Sequence, residues 1–337
     1  MDRRQPFAEP ARPRRGGRLR NSKRGHGTSP KHRSLVPASL GLARAGRCNR
    51  GPVRKGSAGV TDLPTISIVT PSYQHGSFLE WTLRSVILQR YPKLEYVVMD
   101  GGSTDKTPEI LRRYQRFLSH CESAPDQGQA DAAARGFTHT TGEIMAYLNS
   151  DDMLAPGALN FVAGYFAAHR RVDALYSHRV FVTEDNTVDS YWILPRHSNW
   201  LMSRWDYIPQ ETCFWRRRIY EEAGGIDPGF QFALDYDLFV RFMQRGQMRR
   251  VNGFLGAFRR HAASKTAGLI EGEVHPEVAR VRREHGIRLR EWHRLPELAL
   301  YEWIDVRSRY FAARKKTGYN YDRLWGGLLT DHRLPEW

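Results

Sequence analysis

The residues with the strongest chemical character stand where short apolar runs end. The run 143–148 is followed by Asn149-Ser150-Asp151-Asp152. Adjacent carboxylates repel unless a cation or basic group lies between them. Mg²⁺ and Mn²⁺ take oxygen ligands, typically one or two carboxylates together with substrate phosphates. A solvated Asp-Asp turn ahead of Pro156 is the competing reading. A second run, 95–100, ends in Asp100-Gly101-Gly102-Ser103-Thr104-Asp105. There the glycines permit a tight turn, Ser103 or Thr104 caps a helix, and Asp105 suits the helix's positive end. Capping does not account for Asp100, whose position lets it accept hydrogen bonds from a base imide or a ribose hydroxyl. A third run gives Thr70-Pro71-Ser72-Tyr73-Gln74.

Elements of alternating type must hold these residues. Ile66-Ser67-Ile68-Val69-Thr70 has the pattern of a short buried strand, and 77–89 that of a helix. The run 95–100 predicts a second strand. Thr104-Asp105 then opens a helix whose apolar positions Ile110, Leu111, Tyr114 and Phe117 recur at helical spacing. Helix is predicted over 131–137, strand over 143–148, helix over 158–169 and strand over 174–183. Beyond that the alternation loosens, with strands at 209–214 and 247–254 and helices at 217–223 and 235–245. From 273 onward, charged helical segments carry Trp292, Tyr301, Trp303, Tyr310 and Phe311. Strands alternating with helices imply an α/β fold with a mostly parallel sheet, and ligands bind beyond the carboxyl ends of such strands.

Charge divides the chain. The formal net charge is +16, yet residues 1–60 hold 16 Lys/Arg against 2 Asp/Glu, leaving only +2 for the rest. A surface specific for nucleic acid is therefore not expected of the folded part. The tail, with runs such as Arg12-Pro13-Arg14-Arg15-Gly16-Gly17-Arg18, has too little to bury to offset the entropy of ordering. It reads as a solvated extension or as a tether to an anionic surface. Three organisational units follow: a disordered basic tail (1–63), a catalytic domain (64–262) and a helical extension (263–337). Cys48, Cys121 and Cys213 are odd in number and far apart, so neither a disulfide framework nor a zinc site is indicated. No apolar run reaches the roughly 18 residues that span a bilayer, and no secretory signal is evident. A cytoplasmic protein is expected, with peripheral contact at the inner membrane face through the tail and the aromatic-bearing C-terminal helices.

Taken in order, eight motifs resemble the inverting family 2 glycosyltransferases with a GT-A fold. They are 66–73, 99–107, Asp126-Gln127-Gly128-Gln129-Ala130-Asp131, 142–152, Gln210-Glu211-Thr212-Cys213-Phe214-Trp215-Arg216, Gly224-Gly225-Ile226-Asp227, Asp235-Tyr236-Asp237-Leu238 and Arg259-Arg260-His261. The resemblance covers roughly 200 residues, a figure that fits a single domain. It implies a Rossmann-like nucleotide-sugar domain that transfers a sugar from a nucleotide diphosphate sugar, with a UDP-sugar the expected donor, to a glycan or lipid-linked hydroxyl. Surface polysaccharide or glycolipid assembly is the implied setting.

Residue by residue, the resemblance implies that Pro71, Ser72, Tyr73, Asp100, Gly102, Asp126, Asp131 and Asp151 form the nucleotide-sugar site. Asp151, Asp152 and His261 would hold Mg²⁺ or Mn²⁺. Asp235 would be the general base, although by itself it reads as a helix N-terminal acid beside Asp237. Gln210, Glu211 and Trp215 would line the acceptor side. Two positions depart from the family pattern: Asn149 stands where many relatives carry Asp, and Ala134 where the motif has Asn. Trp192, Trp200 and Trp205 either stack on sugar or fill the core. The reading from a different class is a binding protein without turnover, using a glycosyltransferase-like domain or the basic tail on nucleic acid or another anionic surface.

Overall fold

A computed structural model describes residues 63–262, 264, 275–290, 294–315, 317–331 and 333. The expectations for the basic tail, Cys48 and Trp292 fall outside the described residues.

Strand β1 (Ile66–Ser72) is buried along its whole length. It pairs in parallel with β2 (Leu94–Asp100) on one side and β4 (Ile144–Tyr147) on the other, and β2 pairs in parallel with β3 (His120–Ser123). Alternation along β1 divides its side chains between two cores. Ile66 and Ile68 pack with Leu83 and Val86 of α1 (Leu79–Ile87), Ile110 of α2 (Thr107–Tyr114) and Val162 of α4 (Ala158–Ala168). Val69 packs on the other face, with Ala130, Ala133 and Phe137 of α3 (Gln129–Thr138). Gly136 permits that contact, because a Cβ there would lie 2.4 Å from Val69 Cγ1.

Past β4 the sheet changes direction. Strand β5 is Met153–Leu154, β6 is Ala174–Val182, β7 is Val188–Trp192, β8 is Phe214–Arg216 and β9 is Met248–Arg259. The sheet order is β3-β2-β1-β4-β8-β6-β9-β5, with β7 on β6. Strand β8 is antiparallel to β4 and β6, whereas the long β6–β9 pair is parallel. The strand expected at 209–214 is a 3₁₀ turn over Gln210–Thr212 leading into β8. The remaining helices are α5 (Asn199–Met202), α6 (Arg217–Glu222), α7 (Leu234–Arg245), α8 (Pro276–Glu284) and α9 (Arg294–Arg314). No described helix is long and apolar enough to cross a membrane.

The C-terminal segment is built into a third core. Gly318 N donates to Val188 O at 2.7 Å and Tyr321 N to Asn186 O at 2.6 Å. Tyr321, Trp325 and Leu329 are buried among Met153, Val180, Val182 and Tyr191. Arg84, buried in α1, donates to Leu328 O. Helix α9 lies against β7, with Ser308 Oγ accepting from Ile193 N at 2.9 Å.

Candidate active site

The carboxyl ends of β1, β2 and β3 bring Ser72, Asp100 and Ser123 side by side across the sheet. Asp100 is buried and its carboxylate is well supplied with donors: Ser103 N (3.0 Å), Ser103 Oγ (2.5 Å) and Ser123 Oγ (2.5 Å). Its first-order role is thus to fix the turn that Gly102 makes at φ +80°. The β1 loop is tied to the same turn, with Gln74 N donating to Ser103 Oγ (2.7 Å) and Gly76 N to Asp105 Oδ2 (2.7 Å). Pro71 is buried behind the loop, and Ser72 Oγ is buried with no partner among the described residues. Tyr73 stands 60% exposed beside them, so its ring face is available for stacking.

Asp126 and Asp131 shape the neighbouring wall. Asp126 lies over Gly101, where a Cβ would come within 3.0 Å of its carboxylate, and accepts from Gly128 N at 2.8 Å. Burial, then the charges of Asp131 and Asp100, raise its pKa. Asp131, in the first turn of α3, accepts from Gln127 N at 3.1 Å. The two departures from the family pattern have local explanations. Asn149 Oδ1 accepts from Gln129 Nε2 at 2.6 Å, tying the end of β4 to α3, and Ala134 packs against the apolar core.

Asp151 and Asp152 leave β4 in different directions. Asp151 Oδ2 lies 2.9 Å from His261 Nε2, and His75 joins them, its Nδ1 sharing a 2.7 Å hydrogen bond with Ser150 Oγ. One ligand atom from each of His75, Asp151 and His261 lies within 4.8 Å of the others. Burial opposes ionisation of Asp151, but the hydrogen bond from His261 and the nearby His75 outweigh it and hold its pKa below the usual range. Asp152 instead turns inward, with Oδ1 accepting from Arg259 N at 3.1 Å. Burial, then Asp151 and Glu211, push its pKa well up. Arg259 pins the loop to β9, donating from Nε to Asp151 O (2.9 Å) and from Nη1 to Glu184 O (3.0 Å). Sequence reasoning missed His75; a histidine in the loop beside Tyr73 was its only signal.

The carboxylate-plus-imidazole set formed by Asp151, His75 and His261 offers a divalent cation mixed oxygen and nitrogen ligands. Asp152, committed to Arg259, lies outside that set.

The acceptor-side residues diverge in the same way. Glu211 is buried in a two-point ion pair, accepting from Arg179 Nε (2.8 Å) and Nη2 (2.7 Å). Gln210 Nε2 donates to Tyr147 O at 2.5 Å, leaving its buried Oε1 without a partner among the described residues. Trp215 is wholly buried, packed against Phe137, Tyr147 and Phe242, which gives it a packing role. Of the three loop tryptophans, Trp205 is core, Trp192 half-buried and Trp200 exposed.

Asp235 and Asp237 share the first turn of α7 but not an environment. Asp237 is buried and held by Arg241 (2.5 Å) and His285 (3.3 Å). Asp235 is half-buried, makes no ion pair among the described residues, and accepts only from Tyr236 N at 2.9 Å. Burial raises its pKa, with Arg179 opposing and Glu211 reinforcing the shift. Next to it lies a carboxyl that the sequence did not single out. Asp206 has a buried Oδ1 with no partner among the described residues, and burial and then Asp235 push its pKa well up. Its only sequence signal was a position in the variable loop beside Trp205.

A family model described as Glycosyl transferase family 2 matches residues 67–224. An uncharacterized glycosyltransferase of Nostoc sp. (alr2836) is 28% identical over 180 residues, covering 48% of this chain and 54% of that protein. Chondroitin synthase of Pasteurella multocida is 23% identical over 193 residues, covering 56% of this chain and 20% of the synthase. The chain thus spans about half the length of the first of these relatives and less of the second. Among solved structures, S. aureus TarS 1-349 in complex with UDP-GlcNAc matches with a TM-score of 0.54 at 17% identity, over 79% of this chain and 80% of that one. The complex of the same protein with UDP gives 0.51 at 17% identity, over 68% of each chain. At such identities the structural likeness speaks for the fold, and the family model for the sequence. The parallel β3-β2-β1-β4 sheet with its acidic strand ends and the shared fold give this chain a GT-A type of fold, and its segment 67–224 is similar to glycosyl transferase family 2.

Proposed function

We propose that the protein transfers a sugar, with inversion, from a UDP-sugar or related nucleotide sugar to a hydroxyl of a glycan or lipid-linked acceptor, in surface polysaccharide or glycolipid assembly. The observation that carries this reading is the contrast within α7. Asp235 is a half-buried carboxylate with no ion pair among the described residues, while Asp237 two residues on is locked in ion pairs. The TarS complexes hold UDP and UDP-GlcNAc, and relatives named chondroitin synthase and O-antigen biosynthesis protein fit the proposed setting.

In this account the Pro71–Tyr73 turn and Asp100 seat the nucleoside, Tyr73 offering a face and the Asp100 turn a fixed rim. Asp151, His75 and His261 would hold a divalent cation, which supplies charge neutralisation for the departing nucleoside diphosphate. Asp235 takes the proton of the acceptor hydroxyl as the oxygen attacks the anomeric carbon from the face opposite the diphosphate. Asp206 retains a proton beside it, since two carboxyls so close do not both ionise readily. Arg179, neutralised by Glu211, holds the floor of the site and tempers the pKa of Asp235.

Turnover tests this directly. UDP release from a panel of UDP-sugars, measured with Mn²⁺ and candidate glycan acceptors, is expected for the wild type. Asp235→Asn is expected to lower kcat by about 10²–10⁴, the usual contribution of general base catalysis, with donor binding unchanged. Full activity in that variant would remove Asp235 from the role of base.

A further inference from the structure

Residues His178 and Arg179 are successive on β6, at a shift in its register with β9, and their side chains take different partners. Arg179 turns to Glu211; His178 turns to a cavity of about 660 Å³ between β9, the chain after β7 and α9. None of the residues assigned to the donor site lines it, and among the described residues no Asp or Glu does. Its charged wall is Arg196, Arg250, Arg307 and Lys315, and its apolar wall includes Phe254 and Trp303.

The cavity is shaped by an irregularity in the longest strand pair. Between the pairs Tyr176↔Arg250 and His178↔Phe254, β9 advances four residues while β6 advances two. Bulges of this kind re-aim side chains, and here the extra residues carry Arg250 and Asn252 to the cavity rim.

The hydrogen-bond pattern inside is incomplete in one specific way. Burial and then Arg250 hold the pKa of His178 to about 4, so its ring is neutral at pH 7. Leu194 N donates to its Nδ1 at 3.0 Å, which puts the ring proton on Nε2, and that N–H donates to Asn252 Oδ1 at 3.1 Å. Arg250 Nη1 lies 3.1 Å from the same Nε2, which carries the proton, and donates at 3.4 Å to Val251 O and to Asn252 Oδ1. Arg250 Nε is buried with no partner among the described residues. Arg196 and Arg307 add like charge, which together with burial lowers the pKa of Arg250. Guanidinium groups that face one another without a carboxylate are relieved by an anion, and their planar forks match phosphate oxygens.

We propose that this cavity binds an organic phosphate. Arg250, Arg196 and Arg307 take the phosphate oxygens, and Trp303 and Phe254 face the organic part. The volume falls within the usual range of small-molecule sites, about 300–1,000 Å³. The proposal does not depend on the transferase reading.

The test is calorimetric titration of the full chain, in EDTA and without divalent ions, with inorganic pyrophosphate and separately with farnesyl diphosphate. Both are expected to bind the wild type and to bind the double variant Arg196→Gln/Arg307→Gln at least tenfold more weakly. These two side chains are exposed, so the fold is not at stake. Equal affinity for the two probes assigns the site to a soluble phosphate. Tighter binding of farnesyl diphosphate, with the gain abolished by Trp303→Ala, assigns it to an amphiphile. The proposal is overturned if neither probe binds the wild type, if the double variant binds as well as the wild type, or if the double variant loses UDP binding in Mn²⁺ to the same degree.

Discussion

Residue chemistry separates the carboxylates that the sequence presents as equals. Asp151 and Asp152 are adjacent, yet one faces two imidazoles and the other a backbone amide of β9. Adjacency in sequence carries no information about which way each side chain turns. The partners that decide it, His75 and His261, lie 76 residues before and 110 after Asp151. The acidic strand ends were legible because their types and order are local; Asp206 and the Arg179–Glu211 pair were not, because burial and pairing are tertiary properties. Asp206 gives a stability prediction. Its folded pKa is raised, so its contribution to stability is complete below the unfolded value near 4 and is lost as pH rises through the folded pKa. Asp206→Asn keeps the shape without the charge. Its Tm should match wild type near pH 4 and exceed it at pH 8 by roughly 2–4 °C, about 1 kcal/mol in a domain of this size. A Tm advantage at pH 4 that disappears by pH 8 would contradict the assignment.

At the scale of elements, the strands that build the parallel half were readable from apolar runs, and their burial follows that pattern. Strand β3 was not, since His120-Cys121-Glu122-Ser123 has no such run and is held by pairing with β2. The 3₁₀ turn at Gln210–Thr212 replaces part of an expected strand because Gln210 and Glu211 are drawn inward by Tyr147 O and Arg179. Helix α3 carries Gln129 and Asp131 to the site, and its distance from β1 is set at Gly136. Gly136→Ala places a methyl against Val69, an overpacking that should cost about 1–3 kcal/mol and weaken UDP binding in parallel. Chemical denaturation with wild-type stability would show that α3 is not seated this closely.

For the molecule as a whole, the sequence assigns the C-terminal residues to a helical extension, and the structure describes a segment tied to the β6–β7 hairpin through Asn186 and Val188 and to α1 through Arg84. Short aromatic segments such as 319–325 carry no periodic signal, so their docking is visible only in three dimensions. Deleting residues 316–337 would uncover Met153, Val182 and Tyr191 and remove Tyr321, Trp325 and Leu329, each contributing about 1.5–3 kcal/mol when buried. The truncated chain is expected to lose at least 10 °C in Tm or to aggregate, and a thermal scan indistinguishable from wild type would show the segment to be dispensable.

The proposed nucleotide-diphosphate site lies at the carboxyl ends of β1, β2 and β4 and is completed by Asp151, His75 and His261. Calorimetric titration of UDP into the full chain, in Mn²⁺ and again in EDTA, tests it most directly. Binding is expected in Mn²⁺, weakening at least tenfold in EDTA and in Asp151→Ala. Binding of the same strength in all three conditions, or no binding of UDP, GDP or dTDP with either Mn²⁺ or Mg²⁺, would contradict it.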